Sequence, residues 1–370
     1  MKVPANNLLR HYEEHQDEYE KKALEIMRSG SYVLGNEVET FEKDFAAYIG
    51  TKYCVGLGNG LDALWLSFRI LGVGPGDEVI VQANTYIASV MGITINGATP
   101  VFVEPDEYHS IDADKIEEKI TTKTKAVLVV HLYGECCEMD KIVDITKKHN
   151  LYLVEDCAQS HGATFKGQAT GSFGDIGCFS FYPSKNLGAF GDGGGVTVNT
   201  EALYKAFRMY RFYGSEKRYY NKVVGTNSRL DEFQAGMLNV KLKYLDALNE
   251  DRRRVCNTYL AGIKNPVIQL PKCRKDSKAV WHQFVVMTPY RDEFKDYLEE
   301  QGIGSIIHYP IPPHLSEAYA YLNVKKGSLP ITERVANEVL SLPLFYGMTQ
   351  AEMDTVIDAI NAFVPKALEQ

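Results

Sequence analysis

Three groups of residues in the sequence have types and spacing that could do chemistry. Lys185 stands between an aromatic-polar run and a glycine cluster in SFYPSKNLGAFGDGGG, residues 180–195. Asp156 ends the apolar run LYLVED, and the glycine turn GNGLD occupies residues 58–62. A lysine amine can hold an aldehyde as a Schiff base, a carboxylate can keep a ring nitrogen protonated, and a glycine turn at the start of a helix can bind a phosphate.

Each of these features also has an ordinary interpretation. A lysine in a polar loop can be a solvated surface charge, and an aspartate at a strand end can cap the next turn. The glycine turn meets the dinucleotide-binding pattern only loosely, because Ala63 stands where its third glycine would be, so it can be a plain strand-helix connection. The three features together are the set that pyridoxal 5'-phosphate (PLP) requires, and they predict this cofactor.

A regular alternation of elements would bring the three groups to one edge of a sheet. Between residues 78 and 156, short apolar runs that read as strands alternate with helical segments, one of them at residues 112–120. This pattern predicts right-handed βαβ units, a mostly parallel sheet, and ligands at the carboxyl ends of its strands. A further strand at residues 176–182 would deliver Lys185 to the same side.

The length of the chain favours two or more core-forming units over one. Its 370 residues are 45% hydrophobic, enough for a sizeable core. A stripe of apolar residues predicts one long helix over residues 231–254, of the kind that links a large domain to a small one. We therefore predict an α/β fold with a large PLP-binding domain at residues 1–245, whose mostly parallel mixed sheet is flanked by helices, and a smaller C-terminal α+β domain at residues 246–370.

Charge and composition argue against several kinds of partner. The net charge of −8 and the scattered basic residues speak against binding to nucleic acid. The N-terminus lacks the apolar region of a signal peptide, and no window is apolar over a bilayer's width, so we expect no membrane partner and a cytoplasmic location. The seven cysteines form no CxxC pair and the nine histidines show no zinc-ligand spacing, so no metal is expected.

Six motifs of the chain resemble successive signatures of one enzyme family. They are GNGLDAL, ANTYIAS, VVHLYGE, VEDCAQSHGA, GDIGCFSFYPSKNLGAFGDGG and GTNSRLDEFQAG. On these motifs the chain is identified as a member of the DegT/DnrJ/EryC1/StrS family of PLP-dependent sugar aminotransferases, over about residues 3–363. The resemblance implies the aspartate aminotransferase (type I) fold.

The resemblance also implies roles for the residues at matching positions. Lys185 would be the catalytic Schiff-base lysine, which also shuttles a proton between cofactor and substrate, and Asp156 would pair with the pyridinium nitrogen. The other matching positions would hold the cofactor: Tyr86 stacked on the ring, Gln159 against the ring near its phenolic oxygen, Gly60, Leu61 and Ser180 around the phosphate, and Asn227 at the same phosphate from the neighbouring subunit. Family members are dimers with shared active sites, so a homodimer is expected.

The resemblance further implies a reaction and a substrate class. Family members with histidine in place of Lys185 are dehydratases, so the lysine favours amino transfer, in which glutamate would convert PLP to pyridoxamine 5'-phosphate (PMP). The segment IHYPIPPH at residues 307–314 is most similar to enzymes that aminate C3 of a dTDP-3-keto-6-deoxyhexose, with amination at C4 as the alternative. Contacts to the sugar are expected from Tyr182, His308 and Tyr309, although Tyr182 could instead pack beside the cofactor. A lyase, a sugar dehydratase and a PLP-binding regulator without catalysis are the other interpretations.

The loop SEKRYYNK at residues 215–222 mixes cations with aromatic side chains. In the family the corresponding region reaches the nucleotide sugar of the partner subunit. The resemblance thus implies that Lys217, Arg218 and Tyr219 bind substrate. Lys217, Arg218 and Lys222 could neutralise its pyrophosphate, because guanidinium and ammonium groups suit that group. An exposed turn is the alternative interpretation of this loop.

The chain departs from the family pattern at three positions near these groups. Ser184 stands where the family usually has glycine, and Phe190 stands where leucine is usual. Leu61 replaces a threonine or serine whose hydroxyl would face the phosphate, which leaves backbone N–H groups there. We expect Ser184 to restrict the backbone beside the Schiff base and Phe190 to narrow the pocket.

Overall fold

The computed structural model describes residues 1–368, and its main element is a seven-stranded sheet. The strands of the chain are β1 (Tyr53–Leu57), β2 (Glu78–Gln82), β3 (Thr99–Val103), β4 (Thr124–Val130), β5 (Tyr152–Asp156), β6 (Thr164–Phe165), β7 (Gln168–Ala169), β8 (Ile176–Ser180), β9 (Gly194–Val198), β10 (Ser215–Lys217), β11 (Tyr220–Asn221), β12 (Ser277–Lys278), β13 (Phe284–Met287) and β14 (Val339–Leu342). The large sheet has the order β1-β9-β8-β5-β4-β2-β3. Its neighbouring strands are parallel except where β9 pairs with β1 and β8, which confirms the predicted mostly parallel mixed sheet.

Helices cover both faces of this sheet. They are α1 (Leu9–Glu14), α2 (Gln16–Ser29), α3 (Asn36–Ile49), α4 (Gly60–Ile70), α5 (Ile87–Thr94), α6 (Met139–Lys148), α7 (Glu201–Tyr210), α8 (Glu232–Leu242), α9 (Leu245–Gly262), α10 (Arg291–Glu300), α11 (Pro330–Glu338) and α12 (Gln350–Ala362). One core cluster packs α4 and α5 on the sheet, a second packs α3 and α8, and a third packs α6. No helix within residues 1–368 combines the length and the apolar character needed to cross a bilayer.

A separate core cluster joins the C-terminal elements. It contains buried side chains of α9, β13, α10, β14 and α12, and the short sheet β13–β14 is antiparallel. Val3 near the N-terminus is buried in the same cluster and forms a parallel bridge with Ile303. Helix α9 contacts both regions, because its Leu245 packs with the core under α3 whereas its Tyr259 packs with the C-terminal core. The division of the chain near residue 245 remains a prediction.

Two of the predicted helices are wrong in form. Residues 112–120 make two 3₁₀ turns, Ala113–Lys115 and Glu117–Lys119, in place of an α-helix. The carboxylate of Asp112 caps the first of these turns, because it accepts a hydrogen bond from the Asp114 amide at 3.1 Å.

The predicted long helix over residues 231–254 is two helices, α8 and α9, with a break at Lys243 and Tyr244. The ring of Tyr244 stacks on that of His15, with centroids 3.8 Å apart, and its hydroxyl donates to Glu18. These contacts with the N-terminal helices hold Tyr244 at the break, and a periodic apolar stripe gives no sign of them.

Three chain turns open on the same edge of the large sheet. Strand β5 ends at Asp156, strand β8 ends at Ser180, and helix α4 begins directly after β1. Asn59 caps α4, because its side-chain oxygen accepts a hydrogen bond from the Asp62 amide at 2.8 Å. The fold thereby places the strand ends and a helix N-terminus where parallel sheets hold their ligands.

Candidate active site

A cavity of about 650 Å³ opens at this edge of the sheet. Ten of the residues expected at the site from the sequence line it: Gly60, Leu61, Tyr86, Asp156, Gln159, Ser180, Tyr182, Lys185, His308 and Tyr309. The volume falls within the range of roughly 300–1,000 Å³ that is usual for small-molecule and cofactor sites. We call it the Asp156 cavity.

The start of α4 forms one wall of the Asp156 cavity. Backbone amides in the first turn of a helix have no acceptor within the helix and lie at the positive end of its dipole, so they can bind an anion. A Cβ atom added to Gly60 would lie 2.6 Å from the Cβ of Ser180, which is far too close. Glycine is therefore needed for the helix start to meet Ser180, and the wall fits a phosphate group.

Asp156 is buried at the base of the cavity and has two hydrogen-bond donors. The hydroxyl of Ser89 donates to its Oδ2 at 2.8 Å, and the amide of Ala158 donates to its Oδ1 at 3.1 Å. Burial raises the pKa of Asp156, while the two donors and the charge of Lys185 act in the opposite direction. A buried carboxylate with donors on both oxygens is suited to face a cationic ring nitrogen.

Lys185 lies in the turn after β8, where its amide donates to the carbonyl of Tyr182 at 2.8 Å. Burial lowers the pKa of Lys185 to about 8, and the charge of Asp156 opposes this shift. The neutral amine is the nucleophilic form, so a lowered pKa makes Lys185 available to a carbonyl near neutral pH.

Aromatic and amide side chains complete the wall opposite α4. The rings of Tyr86 and Tyr309 meet with centroids 5.0 Å apart, and Tyr86 is half exposed to the cavity. Gln159 donates to the hydroxyl of Tyr309 at 3.0 Å and accepts from the amide of Tyr133 at 2.6 Å. Gln159 is thus fixed at both ends of its amide, which orients the Tyr309 hydroxyl.

His308, which lines the cavity, belongs to a closed ring of hydrogen-bonded polar groups. Its Nδ1 lies 2.8 Å from the hydroxyl of Ser341, its Nε2 lies 3.1 Å from the amide nitrogen of Gln283, and Ser341 donates to the oxygen of Gln283 at 3.3 Å. Burial lowers the pKa of His308 to about 4, so its ring is neutral at pH 7. Because the Gln283 nitrogen can only donate, Nε2 accepts and Nδ1 carries the hydrogen.

Several lining residues were not expected from the sequence. Ser89 lies one helical turn after Tyr86, so helix periodicity in ANTYIAS could have placed it on the same face. His282 and Gln283 also line the cavity, from the segment before β13. No local pattern marks that segment, because only tertiary packing brings it to the sheet edge.

Four of the expected residues lie outside the cavity of their own chain. Lys217 and Tyr219 are exposed in the hairpin β10–β11, as is Arg218 between them. Asn227 is also exposed, and its backbone bridges to Phe212. These four residues do not line the Asp156 cavity of the same chain.

The expectation that Phe190 narrows the pocket is wrong. Phe190 does not line the Asp156 cavity, and its ring packs on Tyr19 at 5.0 Å and on Tyr12 at 6.2 Å between centroids. The amide of Phe190 donates to the Gln234 side chain at 2.9 Å, which turns the residue towards the N-terminal helices. Ser184 does line the cavity, beside Lys185.

Within residues 1–368, one group of side chains has the spacing of a metal site: His131, Glu155 and Cys157, all buried. Glu155 already accepts hydrogen bonds from the amides of Gly171, Phe173 and Gly174 at 2.8 Å. Its other partner is His131, at 3.1 Å. The hydrogen-bonding capacity of the Glu155 carboxylate is therefore filled by the protein itself. We interpret the cluster as a buried ion pair between Glu155 and His131.

A lysine, a buried carboxylate and a helix N-terminus on one cavity of a mostly parallel sheet define a PLP-dependent enzyme. The model of the DegT/DnrJ/EryC1/StrS aminotransferase family matches residues 13–361. The chain is 50% identical, over 94% of its length and 96% of the relative's, to the dTDP-3-amino-3,6-dideoxy-alpha-D-galactopyranose transaminase of Aneurinibacillus thermoaerophilus.

Solved structures agree with this match. The crystal structure of Streptomyces venezuelae DesV in complex with a ketimine intermediate has a TM-score of 0.96 and 45% identity, covering 100% of this chain and 99% of that one. The structure of NtdA from Bacillus subtilis with bound cofactor PMP has a TM-score of 0.90 and 30% identity, covering 97% and 84%.

The chain belongs to the DegT/DnrJ/EryC1/StrS aminotransferase family. The predicted family, fold, enzyme class and PLP cofactor are thereby confirmed. The roles of individual site residues remain predictions. The lining of the Asp156 cavity shows which of these residues lie close enough together to act on one cofactor.

Proposed function

We propose that the protein transfers an amino group from glutamate to the C3 ketone of a dTDP-linked 3-keto-6-deoxyhexose, giving a 3-amino-3,6-dideoxyhexose. The observation that carries this proposal is the 50% identity, over nearly the whole of both chains, to a transaminase that forms a dTDP-3-amino-3,6-dideoxyhexose. The Asp156 cavity supports it, because its lining combines a helix N-terminus, a carboxylate and a lysine for the cofactor with tyrosine hydroxyls for a sugar.

PLP, when bound, supplies an electron-withdrawing ring that stabilises a carbanion beside the amino nitrogen. The amides at Gly60 and Leu61 and the Ser180 side chain would hold its phosphate, and Asp156 would hold the ring nitrogen in its protonated form. Lys185 would take and return a proton at Nζ, which its pKa of about 8 permits near neutral pH. Tyr86 would cover the ring face and shield it from water.

The sugar would lie beside the cofactor in the same cavity. Tyr182, His308 and Tyr309 all line the cavity, and the two tyrosines present hydroxyl groups that can pair with the hydroxyls of a hexose. Both ring nitrogens of His308 are engaged, Nε2 with Gln283 and Nδ1 with Ser341, so His308 would meet the sugar through its ring surface and leave proton transfer to Lys185.

A homodimer would complete the site. Lys217, Arg218, Tyr219 and Asn227 are exposed and lie away from their own cavity, so they are free to serve a partner's phosphate and nucleotide. We also propose a cytoplasmic location, which the seven free thiols support, because unpaired cysteines are usual in a reducing compartment.

Replacing the lysine tests the reaction class. Lys185→Ala should abolish the visible absorbance band that PLP gives when joined to the protein, and should lower turnover by roughly 10²–10⁴-fold through loss of proton transfer alone. The matched control is Lys147→Ala, which replaces an exposed lysine of α6. This variant should keep the absorbance band and the wild-type turnover. An unchanged absorbance band in Lys185→Ala would contradict the assignment.

A substrate panel tests the position of amination. The purified protein would be incubated with glutamate and with dTDP-3-keto, dTDP-4-keto and UDP-linked ketosugars, and the products would be analysed by mass spectrometry. A new amine from the dTDP-3-ketosugar is expected. An amine only from a 4-ketosugar would favour the C4 alternative, loss of water would identify a dehydratase, and no turnover with any donor would favour a regulator.

Mixing two impaired variants tests the shared site. In a heterodimer of Lys185→Ala and Asn227→Ala chains, one site lacks both groups and the other has both intact. Random exchange of subunits makes half of the dimers mixed, so about a quarter of wild-type activity should return. Activity no higher than the sum of the separate variants would rule out a phosphate contact from the partner.

A further inference from the structure

A second cleft lies behind the loop that carries Lys185. Its volume is about 240 Å³, and it is enclosed by the N-terminal segment, residues 183–190 and the helices α8 and α9. We call it the Lys241 cleft and define it by six of its lining residues, Asn6, His11, Ser184, Lys241, Arg252 and Tyr346. It shares Ser184 and Lys185 with the Asp156 cavity, but none of the expected sugar contacts lines it.

Two buried cations face this cleft without a carboxylate. Lys241 and Arg252 are only 9% and 8% exposed, and within residues 1–368 neither has an acidic group at ion-pair distance. The ammonium of Lys241 donates to the carbonyl of Gly188 at 3.3 Å, and the guanidinium of Arg252 donates to the carbonyls of Trp281 and His282 at 3.1 and 3.3 Å. The nearest carboxylate in sequence, Asp251, is engaged with Arg254 and with the Gly347 amide.

The two charges are unfavourable as they stand. Burial lowers the pKa of Lys241 to about 7, and the positive charge of Arg252 adds to this shift. Burial likewise lowers the pKa of Arg252 to about 10, and Cys256 and the charge of Asp251 oppose this shift only in part. Removing charges from water is costly unless an opposite charge compensates them. A bound anion would therefore stabilise the charged forms of Lys241 and Arg252.

His11 supplies an unpartnered polar atom to the same cleft. Its side chain is 8% exposed, its Nδ1 lies 3.2 Å from the Tyr19 hydroxyl, and its buried Nε2 has no hydrogen-bond partner among the described residues. Burial lowers the pKa of His11 to about 3, so the ring is neutral. In the tautomer in which the Tyr19 hydroxyl donates to Nδ1, Nε2 carries the hydrogen and is a free donor, and this is the tautomer that an anion in the cleft would select.

The charged groups that line the cleft, Lys185, Lys241 and Arg252, are all cations, and no aspartate or glutamate lines it. We propose that the Lys241 cleft binds a small carboxylate anion, held by Lys241, Arg252 and the Nε2 hydrogen of His11. A planar carboxylate matches the paired N–H groups of a guanidinium. The cleft lies below the range of roughly 300–1,000 Å³ of drug-sized ligand sites, so the anion is small.

Acetate is the probe that tests this site. The PLP-loaded protein would be titrated by calorimetry with sodium acetate replacing sodium chloride at constant ionic strength, so that general screening does not change. Wild type should bind acetate saturably, with a thermal midpoint that rises with acetate concentration. Lys241→Met should weaken acetate binding about tenfold or more, because it removes a charge-assisted hydrogen bond.

The matched control is Lys243→Met, an exposed lysine two residues further along the chain, which should keep wild-type affinity. If Lys241→Met does not fold, Lys241→Gln removes the charge while keeping a donor for the Gly188 carbonyl, and should show the same loss. Equal acetate affinity in wild type and the Lys241 variants would overturn the proposal, because the anion would then lie elsewhere, for example in the Asp156 cavity.

A second source of carboxylate is a side chain of another copy of this chain. Sedimentation of the same variants separates the two sources. If wild type shows no acetate binding while Lys241→Met weakens self-association, the cations face a partner's carboxylate and the proposal is overturned. Binding is measured here without turnover, so failure of the proposed aminotransferase substrate would leave this result standing.

Discussion

Ser89→Ala is expected to raise the pH at which the protein loses its cofactor. The hydroxyl of Ser89 donates to Asp156 at 2.8 Å, and both side chains are buried. A hydrogen bond to a charged group contributes roughly 1.5–3 kcal/mol, and one pKa unit corresponds to about 1.4 kcal/mol. Loss of the hydroxyl should therefore raise the pKa of Asp156 further than burial already does.

The sign of the effect follows from the form of Asp156 that binds. The ionised carboxylate pairs with a cationic ring nitrogen, so PLP affinity falls as the pH drops through the pKa of Asp156. We call this fall in affinity the acid limb, and in Ser89→Ala it should occur at a pH about 1–2 units higher than in wild type. The assay is the dissociation constant of PLP, measured by absorbance at a series of pH values below 7.

The control is Ser67→Ala, which removes an equally buried hydroxyl that donates to the Ala63 carbonyl at 2.6 Å. That variant should keep the wild-type acid limb even if it loses some stability. An acid limb at the same pH in Ser89→Ala and in wild type would refute the reasoning, because the hydroxyl would then contribute nothing to the charge of Asp156.

Two other predictions concern the phosphate wall and the C-terminal region. Gly60→Ala should weaken PLP binding at least about tenfold, because its Cβ would lie 2.6 Å from that of Ser180, whereas Gly74→Ala, with its nearest contact at 3.7 Å, should not change the absorbance titration. Glu104→Ala should lower the free energy of unfolding, measured by urea titration, by about 1–3 kcal/mol, because the Glu104 carboxylate accepts hydrogen bonds from two amides at the start of α11 at 2.8 Å. The control Glu118→Ala, at an exposed position, should have no measurable effect.

The part of the site that the sequence could locate is the part that local chain geometry fixes. Asp156 and Ser180 end buried strands, and Gly60 begins a helix directly after a strand. Because a parallel sheet gathers the carboxyl ends of its strands at one edge, position in the chain is enough to predict that these groups share a cavity. Lys185 follows from Ser180, since only a short turn separates them.

The partners of these groups come from packing that no local pattern records. Gln283 and Ser341 fix the ring of His308, yet they belong to segments separated by more than fifty residues. The prediction for Phe190 is wrong for the same reason, because its contacts with Tyr12 and Tyr19 join residues far apart in sequence. A resemblance can assign a position to a motif, but the direction of a side chain depends on what packs against it.

Burial shifts the pKa values of Asp156 and Lys185 in opposite directions, and different groups of the chain oppose the two shifts. It raises the pKa of Asp156 and lowers that of Lys185, so it favours the neutral form of both. Asp156 is given two hydrogen-bond donors that favour its charge, whereas the charge of Asp156 is what opposes the shift of Lys185. Hydrogen bonds that favour the charge of Asp156, beside a lysine whose pKa is about 8, match the division of roles that amino transfer through PLP requires.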